Sequence, residues 1–425
     1  MFYLFLGFNL DNLNITKISK EYLFSLKSKS VPERILIIIW SLMPFIMMLS
    51  KSIADFFIVA TAISFLIFSL IKFSWSWLEI SWLRLAILFY LIANLSACLS
   101  LLVETSLSNG LAWIRFPLFA ASMSYWLIKE KQIFYFTLFI NFLSIIFIFF
   151  LMGLETIFTD HNTFEWPFRN PLNGPFIHRI GILFFSIAFL ILFLDEKYKI
   201  LASSFIVISI IFSLLSGHRV GTFSFIIIIL ILTFWPNFNL KRTLLVTFLF
   251  LITLTLFFSF NIEKLDRYFF GVYNFSNTSF LQYLGQWKTG IIVFLDNPIF
   301  GIGPTNVQNY LSENIIINYD PYKNNEHPHN HYIQAFAETG LLGGFLYFAI
   351  FLKIIFDCYI GTKFKNDLLE SLINKGIFIT SICIFWPFAN NYDLFGQQQN
   401  SYLWYVISIL LVSNSLNKRD KILSK

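Results

Sequence analysis

Long apolar runs alternate with short polar or basic segments along the whole chain. Twelve runs of about 15–22 residues are long enough for a helix to cross the hydrocarbon core of a membrane. They lie near residues 35–50, 56–71, 85–103, 111–127, 133–153, 180–194, 200–216, 220–236, 243–261, 340–356, 376–389 and 401–416. The pattern therefore predicts an all-α polytopic membrane protein with about twelve transmembrane helices.

The positions of the basic residues orient these predicted spans. With the N-terminus in the cytoplasm, 21 of the 30 lysines and arginines fall on the cytoplasmic side and 9 on the opposite side. This split follows the positive-inside rule, and an even number of spans also places the basic C-terminal segment in the cytoplasm. The expected organisation is a cytoplasmic N-terminal segment (1–34), nine spans (35–261), a large extracytoplasmic loop (262–339), three spans (340–416) and a cytoplasmic tail (417–425).

The large loop has a helical pattern of its own. Apolar residues recur at positions 280, 281, 284, 287, 291, 294 and 295, which is the periodicity of an α-helix. Asp296-Asn297-Pro298 is expected to stop this helix, and Gly301-Ile302-Gly303-Pro304 to form a turn. A second helix is expected to start near His329, end at Gly340 as a C-cap and lead into the next span.

Composition agrees with the membrane assignment. Hydrophobic residues make up 57% of the 425 residues and charged residues only 13%, whereas a water-soluble domain carries about a quarter charged residues. The three cysteines have no metal or redox spacing, so no disulfide is expected. A net charge of +6 suggests nucleic acid in a soluble protein. Here the charges follow the predicted topology, and no nucleic-acid partner is expected.

All six histidines fall on the extracytoplasmic side of the predicted topology. Three of them, His327, His329 and His331, alternate within the large loop. A neutral imidazole can accept a proton from a hydroxyl near neutral pH. A zinc site is the alternative, but the segment lacks a clear carboxylate or thiolate as fourth ligand. No external pair of acids suits a divalent cation either, so we expect chemistry without a metal or cofactor.

Three arginines, Arg115, Arg179 and Arg219, lie at the external ends of predicted spans. An arginine at membrane depth is costly and usually faces a polar cavity or an anion, and its planar fork suits phosphate oxygens. A single arginine could equally reach to the interface. Three on one side, near the histidines, favour an anion site.

Four features together resemble the bacterial O-antigen ligase and polymerase family. His329-Asn330, followed by Gly340 and Gly343, is similar to the signature of O-antigen ligases. Residues 216–221 (SGHRVG) resemble the family's serine-arginine turn between two spans. Trp287 and the segment 296–304 (DNPIFGIGP) resemble its tryptophan helix and glycine turn. The twelve-span layout with a large loop near the C-terminus also fits.

The resemblance implies a C-type glycosyltransferase fold and a multi-pass enzyme of the inner membrane with a periplasmic site. Its donor would be a glycan on undecaprenyl diphosphate, and its acceptor a lipid A–core hydroxyl or a carrier-linked glycan. His329 would be the base, and Arg219 would bind the diphosphate. Further substrate-binding candidates are Arg179, Arg115, Arg267, Asn330, His331 and Trp287. Relatives often carry an arginine four residues before the tryptophan, where this chain has Tyr283, so that role does not transfer; Arg267 or Lys288 are possible substitutes.

Several alternatives stay open at this stage. The motifs do not separate a ligase from a polymerase that joins carrier-linked repeat units, although the His-Asn signature favours the ligase. A transporter of lipid-linked glycans also has many spans, but the chain has no visible repeat, no buried acidic residues within the predicted spans, and a large external loop. A purely structural role is expected for at least one neighbour of His329. His331 would face about 200° away from it if both were helical.

Overall fold

The computed structural model describes residues 15–159, 164–168, 173–194, 198–234, 240–260, 279–313, 327–364, 368–388 and 393–423, and these ranges are helical without any strand. The α-helices are α1 (Ile15–Lys27), α2 (Val31–Leu49), α3 (Lys51–Lys72), α4 (Ser81–Cys98), α5 (Val103–Trp113), α6 (Arg115–Ala121), α7 (Lys131–Phe158), α8 (Asn173–Phe176), α9 (Ile182–Leu194), α10 (Lys199–Leu215), α11 (Arg219–Thr233), α12 (Leu240–Phe260), α13 (Ser279–Asp296), α14 (Val307–Glu313), α15 (His331–Gly361), α16 (Leu368–Ile384) and α17 (Gln397–Leu423). A 3₁₀ turn lies at Ser76–Glu79, and π-helical turns lie at Ser122–Leu127 and Ile177–Gly181.

Each apolar run predicted as a span coincides with one or more of these helical segments, which confirms the all-α membrane architecture. Among the described residues, seven helices are long and apolar enough to cross a membrane: Val31–Leu49, Lys51–Lys72, Ser81–Cys98, Lys131–Phe158, Asn173–Leu192, Thr243–Phe260 and His331–Gly361. The apolar helices α10 and α11 are shorter, with 17 and 15 residues. The count of twelve spans therefore stays a prediction, as does the external position of the large loop.

Aromatic side chains fill the interior of the bundle. The Phe89 ring lies 4.8 Å from Trp113 and 5.1 Å from Tyr347, and Trp113 is 5.7 Å from Trp404. All four side chains are fully buried. By contrast, the outward faces carry exposed apolar side chains such as Phe56, which is 64% exposed. A water-soluble protein rarely exposes so much apolar surface, so these faces contact lipid.

Two buried acidic residues lie just outside the predicted spans, in parts of helices that extend beyond the apolar runs. Glu155 in α7 is 1% exposed and accepts hydrogen bonds from the backbone N–H groups of Glu165 and Trp166. Glu338 in α15 is fully buried and accepts from the Gln334 side-chain amide. Each lies two residues outside its predicted span, so the predicted spans 133–153 and 340–356 themselves hold no buried acidic residue. Both carboxylates have hydrogen-bond partners, as burial of a polar group requires.

Helix α15 breaks at Gly340, where the backbone has φ +69° and ψ −170°. The break leaves backbone groups of the helix without helical partners, and residues of the preceding turn satisfy them. The bonds join Ile302 N to Ala337 O (3.1 Å), Gly303 N to Glu338 O (2.9 Å) and Leu341 N to Pro298 O (2.8 Å). The expected helix stop at Gly340 is therefore a kink within one longer helix, and the turn of the large loop is fastened to it.

Candidate active site

A four-residue turn, His327 to Asn330, leads into α15 and presents His329. The backbone of His329 has φ +49°, in the left-handed region that few residues other than glycine adopt. Its chain neighbours Pro328 and Asn330 are buried, whereas His329 is partly exposed. Such strain, of about 1–3 kcal/mol, persists only where the surroundings fix the backbone, and it is often found at functional sites.

Asn330 fixes the end of this turn. Its side-chain oxygen accepts hydrogen bonds from the backbone N–H groups of Tyr332 (3.0 Å) and Ile333 (3.2 Å), which caps α15. Its amide nitrogen donates to the Pro387 carbonyl at 2.9 Å. The Asn330 side chain thus joins the turn to the helix and to the segment after α16. Its predicted contact with substrate stays a prediction.

The imidazole of His329 lies against that of His327, with ring centroids 4.2 Å apart. Burial lowers the pKa of His329 to about 4, and the charge that His327 can carry adds to this effect. A hydrogen bond to the His327 backbone acts in the opposite direction but is outweighed. His329 is therefore neutral at neutral pH and able to accept a proton.

His331 has a structural position. It is fully buried, and its Nδ1 is 2.7 Å from the hydroxyl of Tyr347, which lies beyond the Gly340 kink in the same helix. Its ring also packs against Phe351 at 5.7 Å. Because His329 precedes the helix, the predicted angle of about 200° between His329 and His331, which required both residues to be helical, does not describe their positions. His331 nonetheless faces the protein interior, and its predicted role in substrate binding stays a prediction.

A second cluster of polar side chains lies around Arg179. Arg179 and His178 belong to the π-helical turn before α9 and are 3% and 1% exposed. The His178 ring lies 5.8 Å from that of His218, and its Nδ1 is 3.0 Å from the Ser224 hydroxyl. A buried arginine at the end of a membrane-spanning helix is the arrangement predicted for an anion site.

His218 and Arg219 begin α11. His218 Nδ1 accepts the backbone N–H of Gly221 at 3.1 Å and so caps the helix. Burial lowers the pKa of His218 to about 3, helped by the positive charge of Arg179. His218 is therefore neutral. Arg219, the next residue, is partly exposed at the first turn of the helix, where the helix dipole also favours anions.

Asn173 lies beside this turn and was missed by the sequence analysis. A Cβ atom on the adjacent Gly174 would lie 2.2 Å from His218 Cβ, so the two segments are in close contact. Asn173 is 1% exposed, and neither polar atom of its side-chain amide has a hydrogen-bond partner. A buried amide without a partner costs about 1–3 kcal/mol, which favours a polar ligand group at this point. The segment NPLNGPF carries no periodicity that would have revealed it.

Arg179 connects the two clusters. Its charge interacts electrostatically with His178, His218 and His331. The serine-arginine turn and the start of α15 are therefore neighbours across Arg179. This arrangement combines a neutral, partly exposed imidazole with guanidinium groups, which suits proton removal from a hydroxyl and stabilisation of an anionic leaving group.

Helix α13 packs on the His327–Asn330 turn. A Cβ atom on Gly290 would lie 2.8 Å from Pro328 Cγ and 2.6 Å from Ile333 Cγ2. Trp287, one turn earlier, lies 5.6 Å from the Phe388 ring, and its indole Nε1 is buried without a hydrogen-bond partner. Trp287 thus lies on the helix predicted from the loop periodicity, and the structure places this helix beside the turn.

The remaining predicted substrate-binding residues either are paired with another side chain or lie outside the described residues. Arg115 forms an ion pair with Asp55 at 2.9 Å, and both side chains are 15% exposed, so its charge is already neutralised. Its substrate-binding role stays a prediction. Arg267 and His161, like the side chain of Tyr283, lie outside the described residues. Among the described residues, no group of three or more His, Cys, Asp or Glu is placed to hold a metal ion.

Comparison with known proteins gives one family. Residues 204–348 match the family model described as O-antigen ligase, and no curated protein matches the chain. The matched part contains Arg219, Trp287 and His329 together with the glycines of the turn and of α15. The match confirms the family resemblance that these motifs predict, and it indicates a membrane enzyme of the glycosyltransferase type.

Proposed function

We propose, from the O-antigen ligase domain that residues 204–348 carry, that this protein transfers a glycan from undecaprenyl diphosphate to a sugar hydroxyl of the lipid A–core oligosaccharide. The reaction takes place on the periplasmic face of the bacterial inner membrane, inverts the anomeric configuration and uses no metal. The observation that carries the proposal is the neutral, partly exposed His329 imidazole in a strained turn at the start of α15.

In the proposed reaction, the neutral imidazole of His329 accepts the proton of the acceptor hydroxyl. The hydroxyl oxygen attacks the anomeric carbon from the face opposite the diphosphate. A new glycosidic bond forms as the bond from the anomeric carbon to the diphosphate oxygen breaks. Because the pKa of His329 is only about 4 in the free protein, it is a weak base there. The anionic diphosphate of a bound donor raises that pKa toward the working range.

Arginines stabilise the charge that develops on the departing diphosphate. Arg219 is partly exposed at the N-terminus of α11, where the helix dipole adds to its charge. Arg179 is buried and interacts electrostatically with His218 and with His331 at the start of α15. In a site with little water, such charges act strongly on a developing anion. Trp287 provides an apolar surface for the glycan, and Arg267 is a further candidate for the donor contact.

A reconstitution assay tests this function. Purified protein in vesicles, supplied with undecaprenyl diphosphate-linked glycan and lipid A–core, should yield glycan covalently joined to lipid A–core. A polymerase would instead lengthen the carrier-linked glycan and leave lipid A–core unmodified. A transporter would move the donor across the bilayer without joining it to any acceptor. Either of those two results would contradict the ligase assignment.

In cells the same question is answered by deleting the gene. A ligase defect removes all long glycan from lipid A while polymer still accumulates on the carrier. Lipid A capped with single repeat units would identify a polymerase instead.

Asn173 should contribute to donor binding through its unpartnered amide. We expect Asn173→Ala to lower kcat/KM for transfer by about ten-fold or more, the loss expected for one hydrogen bond to a charged group. Stability should not fall, because the substitution removes a buried amide that has no partner. Initial transfer rates at several donor concentrations, together with the melting temperature in detergent, measure both effects.

The matched control is Asn141→Ala. Asn141 is equally buried, but its amide donates to the Thr137 carbonyl and the Tyr405 hydroxyl, both at 2.7 Å. This variant should lose stability while the folded fraction keeps its kcat/KM. If Asn173→Ala behaves like Asn141→Ala, the Asn173 amide is a structural group and not part of the donor site.

A further inference from the structure

We propose that a cavity at the end of the bundle opposite His329 binds the phosphate headgroup of an anionic phospholipid. The cavity has a volume of about 470 Å³, within the range of known ligand pockets. Its wall includes Asp357 of α15. Asp357 lies 17 residues beyond the kink at Gly340, which corresponds to about 26 Å along the helix, close to the thickness of a hydrocarbon core. The cavity and the turn that carries His329 are therefore near opposite membrane surfaces.

The wall of the cavity is positively charged. Lys129, Lys418 and Arg419 all line it. The two lysines are exposed, and the half-buried Arg419 guanidinium lies 3.4 Å from two backbone carbonyl oxygens that hold it in place. Among the described residues, the wall also includes the carboxylate of Asp357, and this carboxylate is already ion-paired with Lys353. The wall therefore presents three cations to a bound group.

Glu130 does not cancel the charge of Arg419. Glu130 interacts electrostatically with Arg419, but it is ion-paired with Lys29 at 2.7 Å. Basic pockets between transmembrane helices on the side rich in lysine and arginine are the sites at which anionic lipid headgroups bind. The positive-inside distribution places the same end of the bundle at the cytoplasmic leaflet.

The other half of the wall is apolar, which favours a lipid over a free anion. Phe68, Trp82, Trp126 and Leu411 line it, and the Phe68 and Trp126 rings stack at 4.7 Å. Close by in the chain, Phe73 is 87% exposed at the end of α3. Exposed aromatic and aliphatic side chains beside a cavity in a membrane protein face acyl chains. A phospholipid can thus place its phosphate among the cations and its chains along this surface.

The test uses the full-length protein in neutral-lipid nanodiscs that contain a small fraction of phosphatidylglycerol, with bound lipid counted by native mass spectrometry. Wild type should retain phosphatidylglycerol in preference to phosphatidylcholine. Each cation removed should lower the affinity for phosphatidylglycerol about five-fold. The triple variant Lys129→Ala/Lys418→Ala/Arg419→Ala should therefore bind phosphatidylglycerol about 100-fold more weakly. The matched control is Lys20→Ala/Lys72→Ala/Lys363→Ala, three exposed lysines outside the cavity wall, which should bind like wild type.

Two further measurements test the same site. If the triple variant fails to fold, Lys418→Gln alone changes an exposed side chain and should still lose about five-fold. Inorganic phosphate should not displace the lipid; displacement would identify a site for a free anion and overturn the proposal. Equal lipid retention by the cavity variants and the control would overturn it too. The result is independent of glycan transfer, because no residue of the cavity belongs to the proposed active site.

Discussion

His329→Ala should lower the rate of glycan transfer by about 100-fold to 10,000-fold, the range that general-base catalysis supplies. The imidazole is the neutral, partly exposed group of the turn, and alanine cannot accept the acceptor's proton. Stability should change little, because the buried contacts of Pro328 and Asn330 are kept. The backbone φ of +49° at residue 329 is no easier for alanine than for histidine, so the substitution does not relieve that strain. Single-turnover transfer in vesicles, with donor at saturation, measures the chemical step.

His327→Ala is the matched control for this prediction. His327 is also a partly exposed histidine, and its ring centroid lies 4.2 Å from that of His329. Its loss should change the rate by less than about ten-fold, as expected for a group that does not itself transfer the proton. Removing the charge that His327 can carry should also raise the pKa of His329. Comparable losses in both variants would mean that the pair acts in holding the turn and not as a base.

The pH dependence gives an independent measure of the same group. Because the pKa of His329 is lowered from 6.5 to about 4, the free protein keeps this base unprotonated throughout the mildly acidic range. The value of kcat/KM should therefore stay level as the pH falls below 6.5 and decline only on approaching about 4. In His327→Ala the decline should begin at a higher pH. A decline centred near 6.5 in wild type would show that an unburied histidine is the base.

Gly340→Ala should unfold the junction between the large loop and α15, with a loss of about 3 kcal/mol or more and no measurable transfer. The backbone at Gly340 has φ +69°, and a Cβ atom there would lie 2.1 Å from the Ile299 carbonyl oxygen. Backbone atoms cannot move aside as a flexible side chain can. Melting temperature in detergent and transfer activity should fall together.

Gly153→Ala is the matched control within the membrane region. Gly153 lies inside α7, more than one turn before its end at Phe158, and an added Cβ atom would meet only Phe212 Cζ, at an ordinary 4.0 Å. Alanine is favoured over glycine in a helix by about 1 kcal/mol, so this variant should melt at the same temperature or higher. If Gly340→Ala were as stable as Gly153→Ala, the kink would not be required for the turn to dock.

The secondary structure could be predicted well from the sequence because lipid imposes a length and an apolar composition on each span. Each predicted run coincides with described helix over most of its length, and α13 begins and ends within two residues of the predicted positions. The helix predicted to start near His329 begins at His331, but it continues through Gly340 as a kink, because the loop satisfies its broken hydrogen bonds.

Side-chain partnerships could not be predicted in the same way, since they depend on contacts distant in sequence. Nothing at Arg115 indicates that Asp55, 60 residues earlier, neutralises it. The left-handed backbone of His329 is likewise invisible in the motif, and it made the helical-wheel argument for His331 inapplicable. The proximity of Arg179 to both motif segments depends on the π-helical turn, for which the sequence carries no periodic signal.

The fastening of the loop turn to α15 limits how substrates can reach His329. Two of the three backbone hydrogen bonds at the kink, Ile302 N to Ala337 O and Gly303 N to Glu338 O, join buried residues, so swinging the turn outward would leave four buried polar groups unpaired. At about 1–3 kcal/mol for each buried group, such an opening is too rare to serve every turnover. This turn therefore keeps its position while substrates enter and leave. In the proposed reaction, the lipid-linked donor therefore arrives laterally from the membrane along surfaces other than this turn, and the released carrier leaves by diffusion in the same plane.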